Sequence, residues 1–158
     1  YLHSDKTVFT GAHKRPKMAE LFLAAAVAGG IAAVINSDII VGAGMRRIIG
    51  HEFQSSAACA YSFRYEFDPN SMNLGQAKQV DQGLDFFVAH SIVWYKTFND
   101  CPDKFLIGNA EWDSWLLYYW QKKYGKLCVN LTDRKLVFHP NHGNRLREPD
   151  IDLTLAQA

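Results

Sequence analysis

The sequence has no clustered cysteines and no marked excess of either charge. Cys59, Cys101 and Cys128 are isolated from one another, and no CxxC pair occurs. A zinc knuckle is therefore not expected, and an odd number of cysteines argues against a disulfide framework and for a reducing compartment. With 17 basic and 16 acidic residues, the net charge is +1. Bulk electrostatic attraction to nucleic acid or to an anionic membrane surface is therefore not predicted.

The sequence also has no apolar run that is long enough for a membrane span. The uncharged run LFLAAAVAGGIAAVI, residues 21–35, is about 15 residues long, whereas a bilayer requires ~20. Gly29 and Gly30 divide this run, so we expect a buried helix, a turn and a buried strand. No charged segment followed by an apolar run opens the sequence, so no signal peptide is predicted. We therefore expect a cytoplasmic location.

Hydrophobic periodicity indicates an α/β protein. The predicted helices begin at Met18, in a segment rich in alanine and leucine, near residue 43 and near Glu111, and strands are expected between and after them. The last of these helices is expected to stop at Gly125. A polar loop is expected at 68–83. The predicted strands cover residues 7–10, 31–35 (buried on both faces), 61–67 and 84–95 (with a possible turn of helix), and two late segments at 126–132 and 135–139. Because helices and strands alternate early and strands dominate later, we predict a mixed sheet flanked by helices. This domain would cover residues 1–145, with a polar tail at 146–158.

Asn36 and Asp38 directly follow the predicted buried strand at 31–35. Ligands bind outside the carboxyl ends of strands in open α/β sheets, and oxygen ligands suit Mg²⁺ or Mn²⁺ that is shared with substrate phosphates. The two residues are therefore candidate metal ligands. The alternative is that Asn and Asp simply form the turn after the strand.

Glu111 and Asp113 open a helix that is rich in tryptophan. A carboxylate at a helix start is stabilised by the helix dipole, which explains both acids without any catalysis. In the alternative interpretation, one of them faces a cleft and takes a proton from an acceptor hydroxyl. Trp112 and Trp115 would then offer flat apolar surfaces to a sugar ring.

His139 and His142 occur in the late segment FHPNHGN. Imidazole binds Mn²⁺ or Zn²⁺, so either histidine is a candidate to complete a metal site. The segment also has a loose similarity to an HNH nuclease motif, and surface histidines in a loop are a further alternative.

Two other candidate binding residues precede regular elements. Arg15 lies in a basic segment just before the helix that starts at Met18, and a helix start suits anions; a solvated basic loop is the alternative. Asp85 follows Gly83 before an aromatic strand, where it would position sugar hydroxyls or simply end the polar loop.

The order of these segments resembles that of GT-A glycosyltransferases, the nucleotide-diphospho-sugar transferase superfamily. The resemblance covers roughly residues 7–145, and its most specific parts are WDSWL and the late HPNH. About one strand precedes the helix at Met18, whereas these domains begin with a strand–helix–strand unit that holds the nucleotide base. The segments that carry the resemblance are INSDII, SFRYEFD, QGLDFFVAH, IGNAEWDSWLLYY and LTDRKLVFHPNH.

The resemblance implies sugar transfer from a nucleotide-diphosphate donor to a hydroxyl acceptor, with Mn²⁺ or Mg²⁺ as the cofactor. Asn36, Asp38 and a late histidine, His142 or else His139, would hold the metal and through it the donor diphosphate. Asp113, with Glu111 as the substitute, would be the catalytic base of an inverting enzyme. A non-catalytic sugar- or protein-binding remnant of such a domain is the main alternative.

Overall fold

The structure is an α/β fold with a mixed, curled sheet and helices on both faces. The computed structural model describes residues 17–107 and 111–141, without the side chains of Asp81 and Gln82. In these residues the α-helices and β-strands follow one another as α1 (Met18–Val27), β1 (Ile31–Ile35), β2 (Ile40–Val41), α2 (Met45–Ser55), β3 (Cys59–Phe67), β4 (Lys78–His90), α3 (Ser91–Asp100), α4 (Trp112–Tyr124), β5 (Cys128–Asn130) and β6 (Val137–Pro140).

Strand β3 lies at the centre of the sheet, whose order is β1-β4-β3-β6-β2 with β5 also on β3. On one side β3 pairs with β4 in antiparallel orientation, and β4 pairs with β1 in the same way. On its other side β3 pairs with two short parallel strands in succession, β5 at Cys59 and β6 at Tyr65. The sheet is therefore mixed, as the sequence predicted.

Strand β1 lies at the edge of the described sheet, and the prediction that it is buried on both faces is wrong. Its residues alternate between exposed and half-buried, and Ile31 and Ile35 are exposed. The run is continuously apolar although only one face is packed: Ala32 and Val34 lie against buried residues of α1 and α3, whereas the other face is also apolar but exposed. The indole Nε1 of Trp94 in α3 donates a hydrogen bond to the carbonyl oxygen of Ala32, at 2.9 Å.

The two faces of the sheet carry separate hydrophobic cores. Neighbouring aromatic residues on β4 point to opposite cores, because side chains alternate along a strand. The larger core, on the side of α1, α3 and α4, contains Phe22, Phe87, Trp94, Leu116 and Trp120. The smaller core, on the side of α2, contains Met45, Phe53, Phe86, Val88 and Val137.

Two parts of the predicted secondary structure need correction. The polar loop expected at 68–83 is shorter, because β4 already begins at Lys78. The strand expected at 84–95 ends at His90, and α3 follows from Ser91. The alternative that this strand runs into a helical turn is therefore confirmed, although the helix is 10 residues long. The helical spacing of the buried residues Val93, Trp94 and Thr97 was difficult to recognise in the sequence, because these residues follow an apolar strand directly.

Other predictions are confirmed. Helices begin at Met18 and Trp112, and α4 stops directly before Gly125, whose φ of 52° suits a glycine. No helix in the described part of the chain is long and apolar enough to cross a membrane. The predicted strand at 7–10 and the tail at 146–158 lie outside the described residues.

Leu116→Ala tests the larger core. Leu116 is fully buried between α4 and the sheet, so we expect a loss of ~2–5 kcal/mol in the free energy of unfolding in urea, from lost apolar burial and the cavity left behind. Leu74→Ala is the matched control, because Leu74 is exposed, and its loss should stay below ~0.5 kcal/mol. Equal losses for the two variants would contradict this arrangement of the core.

Candidate functional site

Six polar residues from four separate segments meet on one side of β3 and β4, next to the end of β1. We refer to them as the polar cluster. The sequence predicted four of them as site residues, and hydrogen bonds and ion pairs join all six. The members of the polar cluster are Asn36, Asp38, Arg64, Glu66, Asp85 and His139.

Asn36 and Asp38 occupy the tight turn that leads from β1 to β2. The backbone N–H of Ile39 donates to the carbonyl oxygen of Asn36 at 3.3 Å, so the turn expected from the residue types does form. The side chain of Asn36 donates to Asp85, and its backbone N–H donates to the Asp85 carbonyl oxygen at 3.4 Å. The turn is therefore attached to β4 by both backbone and side chain.

Asp85 is the extra residue of a β-bulge in β4. Phe86 is paired with Ser62 and Leu84 with Phe63, so two steps along β4 match one step along β3. Bulges re-aim side chains and often occur next to functional sites. The N–H of Phe63 donates to Thr132 Oγ1 at 3.0 Å, which gives the disturbed strand an additional partner. The bulge directs a nearly buried carboxylate toward Asn36 and Arg64.

Arg64 joins the carboxylates of two strands. Its Nη1 donates to Asp85 at 2.6 Å, and its Nη2 donates to Glu66 at 2.8 Å. Burial opposes the guanidinium charge, but these hydrogen bonds outweigh it and raise the pKa of Arg64 above its usual value. The side chain lies directly over Gly83. A Cβ on Gly83 would stand 2.6 Å from Cγ and 2.7 Å from Nε of Arg64.

His139 is held between two carboxylates. It is paired in register with Glu66 on the neighbouring parallel strand, and its Nδ1 lies 3.9 Å from Glu66 Oε1. Its Nε2 lies 3.0 Å from Asp38 Oδ2. The imidazole is nearly buried, whereas Asp38 is more than a third exposed. The side of the cluster that is open to solvent is therefore the Asp38 side.

The polar cluster carries more negative than positive charge. Asp38, Glu66 and Asp85 supply three carboxylates, and Arg64 supplies one permanent positive charge. Such an excess attracts cations, and the donor types, carboxylate, amide oxygen and imidazole, suit Mn²⁺ or Mg²⁺. Among the described residues, however, no three His, Cys, Asp or Glu side chains are arranged as a metal-binding group.

A polar depression of about 380 Å³ adjoins the cluster and shares Glu66 with it. Its walls come from the end of β3, the connection to β4, and Asn141, which directly follows β6. The N–H of Asn141 donates to the carbonyl oxygen of Phe67 at 2.8 Å and so fixes that wall. Apart from Phe67, the lining residues are polar or charged: Glu66, Asp68, Ser71, Asn73, Gln76, Lys78 and Asn141.

Glu111 and Asp113 lie at the start of α4, with no described contact to the polar cluster. Glu111 precedes the helix with a φ of 85°, in the left-handed region. Asp113 Oδ1 accepts a hydrogen bond from the N–H of Ser114 at 2.8 Å. This contact agrees with the interpretation that the acid stabilises the helix start. A catalytic role of either acid stays a prediction.

Trp112 and Trp115 pack against other aromatic rings of the protein. The Trp112 ring lies 5.7 Å from Phe87, and the Trp115 ring lies 5.5 Å from Phe105, between ring centroids. Trp115 also stacks on Tyr119, at 5.1 Å with an interplanar angle of 16°. Both indoles are half-buried, so only part of each ring is left to contact a sugar.

Two predicted site residues lie outside the described residues, and two members of the polar cluster were not predicted from the sequence. Arg15 and His142 lie outside the described residues, so their proposed roles stay predictions. Arg64 and Glu66 were not selected from the sequence. Both belong to the polar face of the strand at 61–67, opposite its aromatic residues. That alternation is the signal that could have indicated them, because this face contributes two members to the polar cluster.

Comparisons with known proteins identify no relatives. No family model, curated protein or solved structure matches this chain. The functional interpretation therefore rests on the residues themselves and on the resemblance in their order.

Replacing Gly83 tests whether Arg64 lies over β4. In Gly83→Ala the new Cβ would clash with the aliphatic part of Arg64, whose far end is held by Asp85 and Glu66. We expect a loss of ~1–3 kcal/mol in the free energy of unfolding. In Gly50→Ala, within α2, no atom meets the new Cβ, and a gain of ~0.5–1 kcal/mol is expected. A gain for both variants would place Arg64 elsewhere.

Removing the charge of Arg64 should destabilise the protein far more than removing a surface arginine. Arg64→Met leaves Asp85 nearly buried without its cation, so we expect a loss of about 3 kcal/mol in the free energy of unfolding. Arg134→Met breaks the ion pair with Glu52, in which Arg134 is more than half exposed. There the loss should be at most ~1 kcal/mol. Similar losses in denaturant titrations would contradict a structural role for the buried pair.

Proposed function

We propose that this protein is a GT-A-like glycosyltransferase that moves a sugar from a nucleotide-diphosphate donor to a hydroxyl acceptor. One observation carries the proposal: Asn36 and Asp38 at the end of β1, Asp85 in β4 and His139 in β6 meet in one polar cluster. These are four of the residues that the resemblance and the sequence pattern selected independently of any structure.

A divalent cation, Mn²⁺ or Mg²⁺, would be held by Asp38 and His139, with Asn36 as a further oxygen ligand. Such ions are commonly bound by one or two protein side chains together with substrate phosphates, so a three-residue protein group is not required. When bound, the cation would offset the charge that develops on the leaving diphosphate. Arg64 holds Asp85 and Glu66 in place behind these ligands.

The donor sugar would occupy the polar depression beside Glu66. Its lining of carboxylate, amide and hydroxyl groups offers many hydrogen-bond partners, as recognition of sugar hydroxyls requires. Asp85, predicted from the sequence to position sugar hydroxyls, would instead act through Arg64 and Asn36. Asp113 is the proposed base that removes the acceptor proton in an inverting reaction, with Glu111 as its substitute.

The main alternative is a non-catalytic module that binds a sugar or a protein. Trp112 and Trp115 of α4 pack on neighbouring aromatic rings. This packing favours a structural role for α4, the helix that would carry the proposed base Asp113. A metal nuclease is the second alternative. It is suggested by the late histidine segment, in which His139 lies between the carboxylates of Asp38 and Glu66. The net charge of +1 counts against it, because it gives little neutralisation of nucleic-acid phosphates.

Calorimetric titration with UDP- and GDP-sugars, with and without Mn²⁺, tests the proposal. We expect binding that depends on Mn²⁺ and that weakens by at least about tenfold in Asp38→Ala, as for loss of a ligand or of its support. Asp113→Ala should keep this binding and lose ~100-fold or more of the transfer rate. Asp103→Ala is the control, because Asp103 is an exposed carboxylate outside the cluster.

The possible outcomes separate the three functions. Absence of any metal-dependent sugar-nucleotide binding would favour the non-catalytic module. Full turnover by both Asp38→Ala and Asp113→Ala would refute the residue assignment. Cleavage of plasmid DNA with Mn²⁺ would favour the nuclease.

A further inference from the structure

Cys59 and Cys128 stand directly opposite one another on two neighbouring strands. Cys59 is the first residue of β3, Cys128 is the first residue of β5, and they are register partners in the parallel β3–β5 pair. Neighbouring strands are about 4.8 Å apart, which falls within the Cα separation that a disulfide bond spans. Both are free thiols in this structure. The polar cluster uses neither of them.

Backbone hydrogen bonds hold the two cysteines in this register from both sides. The N–H of Ala58 donates to the carbonyl oxygen of Leu127 at 2.9 Å, and the N–H of Leu131 donates to that of Tyr61 at 2.8 Å. These bonds bracket the pair, so the two sulfur atoms stay close without the help of a covalent bond. Cys101, by contrast, directly follows α3 and has no cysteine partner among the described residues.

The two thiols differ in environment. Cys59 is fully buried, whereas Cys128 is partly exposed. The thiol–thiol hydrogen bond, together with burial, raises the pKa of Cys59, and the same hydrogen bond lowers the pKa of Cys128. Cys128 is thus the more accessible of the two thiols and the one that ionises first, which is the profile of an attacking cysteine. Cys59 is the second thiol, buried next to Cys128.

We propose that Cys59 and Cys128 form a reversible oxidation site, at which a small-molecule disulfide converts the dithiol into an intrachain disulfide between β3 and β5. This site is separate from sugar transfer and does not depend on it. The bond would close the loop formed by residues 60–127, which contains β4, α3 and α4. Because it constrains the unfolded chain over a long loop, the disulfide stabilises the fold.

The reaction proceeds by two thiol–disulfide exchanges. The Cys128 thiolate attacks one sulfur of the small disulfide, forming a mixed disulfide and releasing one small thiolate. The Cys59 sulfur then loses its proton and attacks the Cys128 sulfur, which releases the second small thiol. In total, two protein thiols are oxidised to one disulfide, and the small disulfide is reduced to two thiols.

Incubation of the folded protein with glutathione disulfide, followed by alkylation and peptide mass mapping without reduction, tests the site. We expect one cross-linked peptide pair containing Cys59 and Cys128, two hydrogen atoms lighter than the separate peptides, with Cys101 alkylated. The melting temperature should rise by several degrees, and dithiothreitol should reverse the rise. Cys101→Ser is the matched control and should behave as the unmodified sequence does.

The variants separate the two steps. Cys59→Ala should stop at a mixed disulfide, with one glutathione on Cys128, because no second thiol is present to displace it. Cys128→Ser should take up no glutathione at Cys59, which solvent does not reach. A stable mixed disulfide in the unmodified sequence, a bond to Cys101, or no reaction of Cys128 in the folded protein would each overturn the proposal. The map of the unmodified sequence decides even where a variant does not fold.

Discussion

The ion pair between Arg64 and Asp85 is the interaction on which the rest of the polar cluster depends. Asp85 is nearly buried, and a buried carboxylate is costly unless it is paired and hydrogen-bonded. Arg64 supplies the pair and Asn36 supplies the hydrogen bond. Because Arg64 also binds Glu66, one guanidinium fixes two carboxylates, and through Asn36 it fixes the turn that carries Asp38.

The central strand β3 pairs with two short parallel strands in succession on the same side, and each pairing brings a particular pair of side chains together. Its first residues pair with β5 and its last residues pair with β6. The β5 pairing puts one cysteine opposite another, and the β6 pairing puts His139 beside Glu66. Strand β3 thus contributes one thiol of the cysteine pair at its start and two charged residues of the polar cluster near its end.

Sequence reasoning predicted the parts of the fold that local chemistry controls. Alanine and leucine indicated α1, Gly125 indicated the end of α4, and the turn at Asn36 was expected from its residue types. The edge position of β1 was not predictable, because it depends on which strands pair and not on β1 itself. Arg64 was missed for a similar reason: an alternating polar face looks the same in the sequence whether it borders solvent or a buried carboxylate on the neighbouring strand.

The bulge at Asp85 lets β4 carry a carboxylate for the polar cluster without disturbing the packing of the two hydrophobic cores. Leu84 and Phe87 face the larger core, and Phe86 faces the smaller one. If Asp85 were deleted, these three residues would still alternate correctly between the two faces. Deletion of this one residue would therefore remove the carboxylate while leaving the alternation of both hydrophobic layers unchanged.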